Sequence, residues 1–392
     1  MEIAGQSSTG AWGGGTDGPT ILQVLPALET GGVERGTVQM AGGITRAGGR
    51  ALVASSGGPM VHEVERAGGI HKALPLATKN PARIWANAKR LAELIEAEKV
   101  DLVHVRSRAP GWSAWLAARR TKRPLVTTFH SPYGHNWLKH SYNAVMARGD
   151  RVIAISEFLA EHIRATYKVG DDRLVTIPRG IDLELFNPAA VSGSRMIQLA
   201  RAWRLPEDRP VIMLPGRLTR WKGQGLLLDA LAALGRRDIS CVLVGAEQGR
   251  EAYRDELESK IEAANLGEVV RVVGHCRDMA AAYMLSDVVV SASIEPEGFG
   301  RVAVEAQAMG RPVIASDHGG ACETVRHGAT GWLVKPGDVQ ALTSALHGAL
   351  ALAPEARAAL AERARRNAVE NYSVQQMCDR TLAVYDALLR RA

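Results

Sequence analysis

Two doubly wound α/β domains are what this 392-residue chain predicts, on three observations. Short Val/Ile/Leu-rich runs recur along it, each followed by a longer segment with helical spacing, as expected of buried parallel strands alternating with helices. The runs form two series, separated by an irregular stretch near residues 185–195. The length also exceeds what a single core usually fills, so two domains of about 200 residues each are expected.

The chain opens on "MEIAGQSSTGAWGGGTDGP", which lacks the basic and apolar segments of a secretory leader and reads as a flexible Gly/Ser-rich tail over 1–18. The first series is "ILQVLP" (21–26), "ALVAS" (51–55), "LVHVRS" (102–107), "LVTTFH" (125–130), "RVIAIS" (151–156) and "LVTIP" (174–178), giving a Rossmann-like domain over 19–190. Pro188, Ser192, Gly193 and Ser194 interrupt the periodicity and set the boundary. The second series is "VIMLPG" (211–216), "CVLVG" (241–245), "VVRVVG" (269–274), "DVVVSAS" (287–293) and "PVIAS" (312–316), giving a second such domain over 191–372. The last segment, 373–392, is an amphipathic helix with Met377, Leu382, Val384, Tyr385 and Leu388 available for burial. Periodicity does not choose which domain it packs on, and a return to the N-terminal domain stays open.

Composition narrows the function classes. An apolar fraction of 46% with 23% charge is that of a globular protein, and no run approaches the roughly 18–20 apolar residues that span a bilayer. The four cysteines are scattered without a C-x-x-C pair, which fits neither a zinc site nor a disulfide framework. Together with the leaderless start, this places the expected location in the cytoplasm. The net charge of +7 is uneven: residues 71–150 hold 14 Lys/Arg against 5 Asp/Glu, in company with Trp85, Trp112, Trp115 and Trp137. That mixture suits contact with an anionic membrane through the N-terminal domain, or a merely solvated basic face. No zinc-finger spacing or RNP-like motif argues for nucleic acid.

In open α/β sheets, ligands sit beyond the carboxyl ends of the strands, so the loops that follow strands carry the candidate site. After "ILQVLP", Gly31 and Gly32 open a helix whose positive end suits phosphate. "LVTTFH" ends on His130. After "VIMLPG" come Arg217 and Lys222, a guanidinium fork and an ammonium beside a helix start, a pair able to hold a diphosphate. "DHGGACETV" supplies a further Gly-Gly turn, and "HCRDM" offers main chain to a flat base. "EPEGFGRVAVE" places Glu297 on a loop and Glu305 in the helix that follows, with Phe299, Gly300, Arg301 and Val302 between. Neither domain has G-x-G-x-x-G after its first strand, so a dinucleotide enzyme is disfavoured.

Taken together, "GRLTRWKGQ", "EPEGFGRVAVEAQAMGRPVIASDHGGACETV" and "GATGWLVKPGD" resemble the C-terminal half of retaining, nucleotide-sugar-dependent glycosyltransferases of family 4. The first half agrees through "ETGGVERG", "DLVHVRS", "FHSPYG", "VIAISEF" and "IPRGIDLELF", so the resemblance runs from about Ile21 to the C-terminus. It implies the GT-B architecture, two Rossmann-like domains facing across a cleft. It further implies that Arg217 and Lys222 bind the donor diphosphate, that Glu297 accepts hydrogen bonds from the sugar and that the backbone of Phe299 to Val302 caps the phosphates. Glu305 would bind the ribose, His130 would face the sugar, and Gly31 and Gly32 would lie near the phosphates or the acceptor. Two departures stand out: "GAEQGREAY" where the family often has Gly-x-Gly, and "QAMG" after Glu305.

The function that the resemblance implies is transfer of a hexose-type sugar, with retention, from a GDP- or UDP-linked donor to a glycan or lipid-linked acceptor; the basic, Trp-bearing first half points to a lipid-linked one, as in assembly of lipopolysaccharide or another envelope glycan. A lipid-linked acceptor would bring the chain to the inner face of the cytoplasmic membrane. The sequence contains no Asp-x-Asp loop, so no metal and no cofactor are expected, and the cations and helix N-termini carry the electrostatic work. A nucleotide-sugar epimerase of the same architecture, or a sugar-binding protein without catalysis, are the alternatives.

Overall fold

The structure, a computed structural model, describes residues 12, 18–133, 137–247, 249 and 251–391, with Leu138 described in its backbone alone. The tail assigned to 1–18 therefore lies outside the described residues except at Trp12 and Gly18. The Trp12 amide donates to the Ala47 carbonyl at 3.1 Å, and its ring packs on the N-terminal core.

The chain divides into two compact units, one of residues 1–180 with 374–392 and the other of 181–373. The change-over falls at Gly180–Ile181, ahead of the stretch where the periodicity breaks. Residues 181–190 side with the second unit because of what they touch: the Ile181 amide donates to the Tyr372 carbonyl, and Phe186 meets Tyr283 edge-on at 5.8 Å. Loss of periodicity marks an irregular segment without saying which core receives its apolar residues.

The first unit contains β1 (Thr20–Val24), β2 (Arg50–Ser55), β3 (Ile70–Ala73), β4 (Leu102–Val105), β5 (Leu125–Phe129), β6 (Arg151–Ala154) and β7 (Leu174–Thr176). They form one parallel sheet in the order β3-β2-β1-β4-β5-β6-β7. The second contains β8 (Val211–Pro215), β9 (Ser240–Val244), β10 (Val270–Val273), β11 (Val288–Ser291), β12 (Val313–Ser316) and β13 (Trp332–Val334), parallel in the order β10-β9-β8-β11-β12-β13. Each sheet reverses its winding beside its first strand, between β1 and β4 and between β8 and β11. These are the switch points where such sheets bind ligands.

Central strands are buried along their whole length, which is why they read as unbroken apolar runs. The edge strands β3 and β13 give no such run. They are short, "IHKA" and "WLV", and most of their residues are only partly buried or exposed. An aspartate just before a strand repeatedly braces its neighbour. Asp101, Asp150 and Asp287 each accept, at 2.8 Å, the amide that opens the adjacent strand, from Thr20, Leu125 and Val211. The carboxylate thereby satisfies a donor that lies beyond the regular ladder.

The C-terminal helix Val374–Leu389 completes the first unit: Met377, Cys378, Leu382, Val384, Tyr385 and Leu388 join a core with Ile21, Met40, Ile44 and Val53. Tyr385 ties it to the sheet, its hydroxyl 2.5 Å from His104 Nδ1, while His104 Nε2 lies 2.7 Å from Thr128 Oγ1. Amphipathicity marked this helix in the sequence; the free face of the helix Gly32–Arg46 decided where it docks.

Candidate functional site

In the second unit, three loops that follow β8, β11 and β12 are bonded into one assembly at the carboxyl end of the sheet. Gly223, at φ +79°, lies so close to the Ala292 carbonyl that no Cβ fits, and the Ile294 amide donates to the Trp221 carbonyl at 2.7 Å. The Gly-Gly turn after β12 packs against the loop after β11. A Cβ on Gly320 would sit 2.5 Å from Phe299 Cα, and one on Gly319, at φ +61°, 2.5 Å from the Glu297 carbonyl oxygen. The Gly320 amide donates to that carbonyl at 2.9 Å, and His318 Nε2 lies 2.8 Å from the Ser293 carbonyl. Only glycine permits this backbone-on-backbone contact.

The assembly brings Lys222 and Glu297 together. Lys222 Nζ is 2.7 Å from Glu297 Oε1, with 14% and 16% of the two side chains exposed. Ser293 Oγ donates to the same carboxylate oxygen, and the Lys222 ammonium stands 4.5 Å over the Trp221 ring. Arg217 emerges from the same loop exposed, and no side chain among the described residues pairs with its guanidinium. Gln224 Nε2 donates to its carbonyl at 2.9 Å and so holds the turn. One cation is thus neutralised by a carboxylate, while the other is available to an anion.

Gly300, at φ +84°, opens the helix Arg301–Ala308, whose first amides have no partner one turn back within the helix. Phe299 is buried edge-on against Tyr372 at 5.6 Å, which fixes the backbone that leads into this turn. Glu305 is buried and doubly held: Tyr283 Oη donates to Oε2 at 2.8 Å, and Arg301 donates to Oε1 through Nε at 3.0 Å and through its NH2 nitrogen at 2.6 Å. The Glu305 charge raises the Arg301 pKa, and burial with that charge keeps the Tyr283 hydroxyl protonated. Neither glutamate points into bulk solvent.

The first unit gathers a separate cationic cluster. A Cβ on Gly32 would meet the Arg179 guanidinium, and one on Gly36 would sit 2.8 Å from that of Arg106, so both arginines lie against the first turns of the helix Gly32–Arg46. Arg179 donates to His130 Nδ1 at 2.8 Å. Burial, then Arg179, Arg106 and His104, hold the His130 pKa well below its usual range, so the ring is neutral. With Nδ1 accepting, the ring proton lies on Nε2, an atom shielded from solvent and without a partner among the described residues. Arg106 is also buried, and its Nε lacks a partner there. A shielded donor without an acceptor costs about 1–3 kcal/mol unless a water or a ligand meets it, which makes these two atoms candidate ligand contacts.

Every residue singled out in the sequence is described, and each unit draws its own together: Gly31, Gly32 and His130 in the first, Arg217, Lys222, Glu297, Phe299, Gly300, Arg301, Val302 and Glu305 in the second. Gly134 of "FHSPYG" and Gln248 and Arg250 of "GAEQGREAY" lie outside the described residues. Sequence reasoning missed Ser293, Tyr283, Arg106 and Arg179. The last two stand just after β4 and near the end of β7, a position that the strand-end rule could have flagged. Asp278 of "HCRDM" is structural: it caps the helix Met279–Leu285 and pairs with Arg195. No group of three or more His, Cys, Asp or Glu suited to a metal ion occurs among the described residues.

A family model described as glycosyl transferases group 1 matches residues 197–367, and one described as Glycosyltransferase Family 4 matches 30–185. A protein of Xylanimonas cellulosilytica named D-inositol 3-phosphate glycosyltransferase is 32% identical over 315 residues, covering 74% of this chain and 73% of its own. This chain belongs to glycosyltransferase family 4. The transferase is similar to a solved glycosyltransferase from Rickettsia africae, at 35% identity and a TM-score of 0.90 over 96% of this chain and all of that one. It is also similar to Anabaena HepE, solved in complex with UDP and glucose, at 25% identity and a TM-score of 0.83, over 94% of this chain and 100% of that one. Both units of the transferase are those of the GT-B class.

Proposed function

We propose that this glycosyltransferase moves a hexose-type sugar, with retention and without a metal ion, from a nucleoside-diphosphate donor held by its second unit. The observation that carries the reading is the Lys222–Glu297 pair beside the exposed Arg217. Departure of a nucleoside diphosphate builds negative charge on the leaving oxygen, and fixed cations with oriented amides stabilise it. Arg217 supplies the guanidinium fork, Lys222 the ammonium, and the turn at Gly300 the helix N-terminus for the phosphates. Glu297, held by Lys222 and Ser293, presents its remaining lone pairs to sugar hydroxyls, and Glu305 serves the ribose. His130 Nε2–H would donate to a sugar oxygen near the breaking bond. In the retaining route the acceptor hydroxyl attacks on the face the phosphate leaves, and the departing phosphate takes the proton. The UDP of the HepE complexes favours a uridine donor over GDP.

Trp85 and Trp137, 71% and 73% exposed, support contact with an anionic bilayer and hence a lipid-linked acceptor. No helix among the described residues is long and apolar enough to cross a membrane. A second reading, a phosphorylated polyol acceptor, is favoured by the name of the Xylanimonas relative and by the Arg106–Arg179 cluster.

The test is a transfer assay with UDP- and GDP-hexoses against lipid-linked glycans and polyol phosphates, with and without EDTA, and product anomers assigned by NMR. Retained configuration and unchanged turnover in EDTA are expected. Inversion, rescue by magnesium only, or epimerisation of the donor without acceptor would each overturn the corresponding part.

A further inference from the structure

We infer that the first unit carries a second anion site, for a small ligand bearing two or more phosphate groups, at the end of its sheet opposite the strand ends that carry the candidate site. A cavity of about 720 Å³ opens there, lined by Trp115, Arg119, Lys122, Arg123, Arg148 and Arg173, with Arg151, and Arg391 from the end of the chain. A neighbouring cavity of about 590 Å³ shares Trp115, Arg119, Arg148 and Arg173 and adds Lys168.

The location follows from the topology. Arg123 and Pro124 precede β5, Asp150 precedes β6 and Arg173 precedes β7, so in a parallel sheet these residues share the amino-terminal edge. His130 follows β5 at the carboxyl edge, five strand residues or roughly 16 Å away.

The charges are set for a ligand. Seven cations line the first cavity against two carboxylates, Asp150 and Asp172, and Asp150 is already engaged by the Leu125 amide. Arg119, Lys122 and Arg123 are exposed and have no side-chain partner among the described residues. Arg148 is pre-oriented, its guanidinium 4.7 Å over the Trp115 ring and 5.2 Å over Trp112, two rings that meet edge-to-face at 5.8 Å. Arg173 is fixed by donating to the Ala147 and Gly149 carbonyls at 3.2 Å. Guanidinium forks held by stacking and by backbone suit the paired oxygens of phosphate.

Concavity favours a soluble anion over a bilayer. The site is a hollow lined by Trp115, half-buried under Arg148 with Trp112 packed against it, whereas Trp85 and Trp137, the rings most open to a lipid interface, line neither cavity. The volume lies in the range of small-molecule sites.

The test uses the full chain in an R217A/K222A background, which removes the cations of the proposed donor site, titrated calorimetrically with inorganic pyrophosphate and tripolyphosphate. One bound anion per chain is expected, with affinity falling at least tenfold on adding R119E/R123E and falling steeply with salt. Arg119 and Arg123 are exposed, so the variant should fold, and circular dichroism checks this. If the donor reading alone fails, R217A/K222A and the unaltered chain bind the anions alike, while the R119E/R123E loss persists. Absence of binding, binding indifferent to R119E/R123E, or capture by phosphatidylglycerol vesicles without binding of either soluble anion would overturn the inference.

Discussion

Lys222 and Glu297 lie 75 residues apart in the chain, yet their side chains meet at 2.7 Å where the loops after β8 and β11 converge. Little of either side chain is exposed, so each neutralises the other in surroundings poorer in water than the surface. Changing Lys222 to Ala should lower kcat about a hundredfold, the loss of about 3 kcal/mol of transition-state stabilisation. Changing Glu297 to Gln should raise KM and lower kcat together, since it withdraws a sugar acceptor and frees the ammonium. Steady-state kinetics on both variants, with urea unfolding to confirm the fold, check this.

His130 offers a different test. Its depressed pKa means that the ring stays neutral through the pH range where an ordinary histidine titrates. The kcat profile should therefore show no limb near pH 6.5 arising from this residue. His130→Ala should lose activity, while His130→Gln, which keeps a donor at similar reach, should recover part of it. A His130→Gln variant as inactive as the alanine would remove the proposed donor role.

His104, like His130, links stability to pH. It is fully buried, and burial followed by Arg106 lowers its pKa well below the usual value of about 6.5. The folded chain thus binds fewer protons than the unfolded one, so the contribution is complete above about pH 6.5 and is lost as pH falls toward the folded pKa. Urea midpoints should decline below pH 6.5, at most about 1.4 kcal/mol per pH unit for this residue. His104→Gln should flatten that slope.

Glycines of the second unit should separate by surroundings. Gly320→Ala forces a Cβ onto the Phe299 backbone and should cost about 1–3 kcal/mol, with a larger loss of nucleotide affinity because the loop shifts. Gly348, inside the helix Val339–Leu350 with nothing within 4 Å of an added Cβ, should accept alanine with a gain of about 0.5–1 kcal/mol. Thermal unfolding of the two variants reads both signs.

The division between sequence and tertiary structure follows from range. Buried parallel strands are covered on both faces, so β1, β8 and β11 announce themselves as continuous apolar runs, and the rule of ligands beyond strand ends then points to Gly31, His130, Arg217 and Glu297. The edge strands β3 and β13, partly open to water, left no such run. Arg301 and Glu305 are four apart on one helix, a spacing that the sequence shows, but nothing local tells Lys222 that its partner is Glu297, or Glu305 that Tyr283 will take its other oxygen. The same holds for the Arg179–His130 pair and for the docking of Tyr385 on His104. Periodicity records what each residue buries, and so fixes elements and their loops. Pairing across tens or hundreds of residues depends on strand order and on glycines that let two backbones touch, and those are settled only when the sheet has formed.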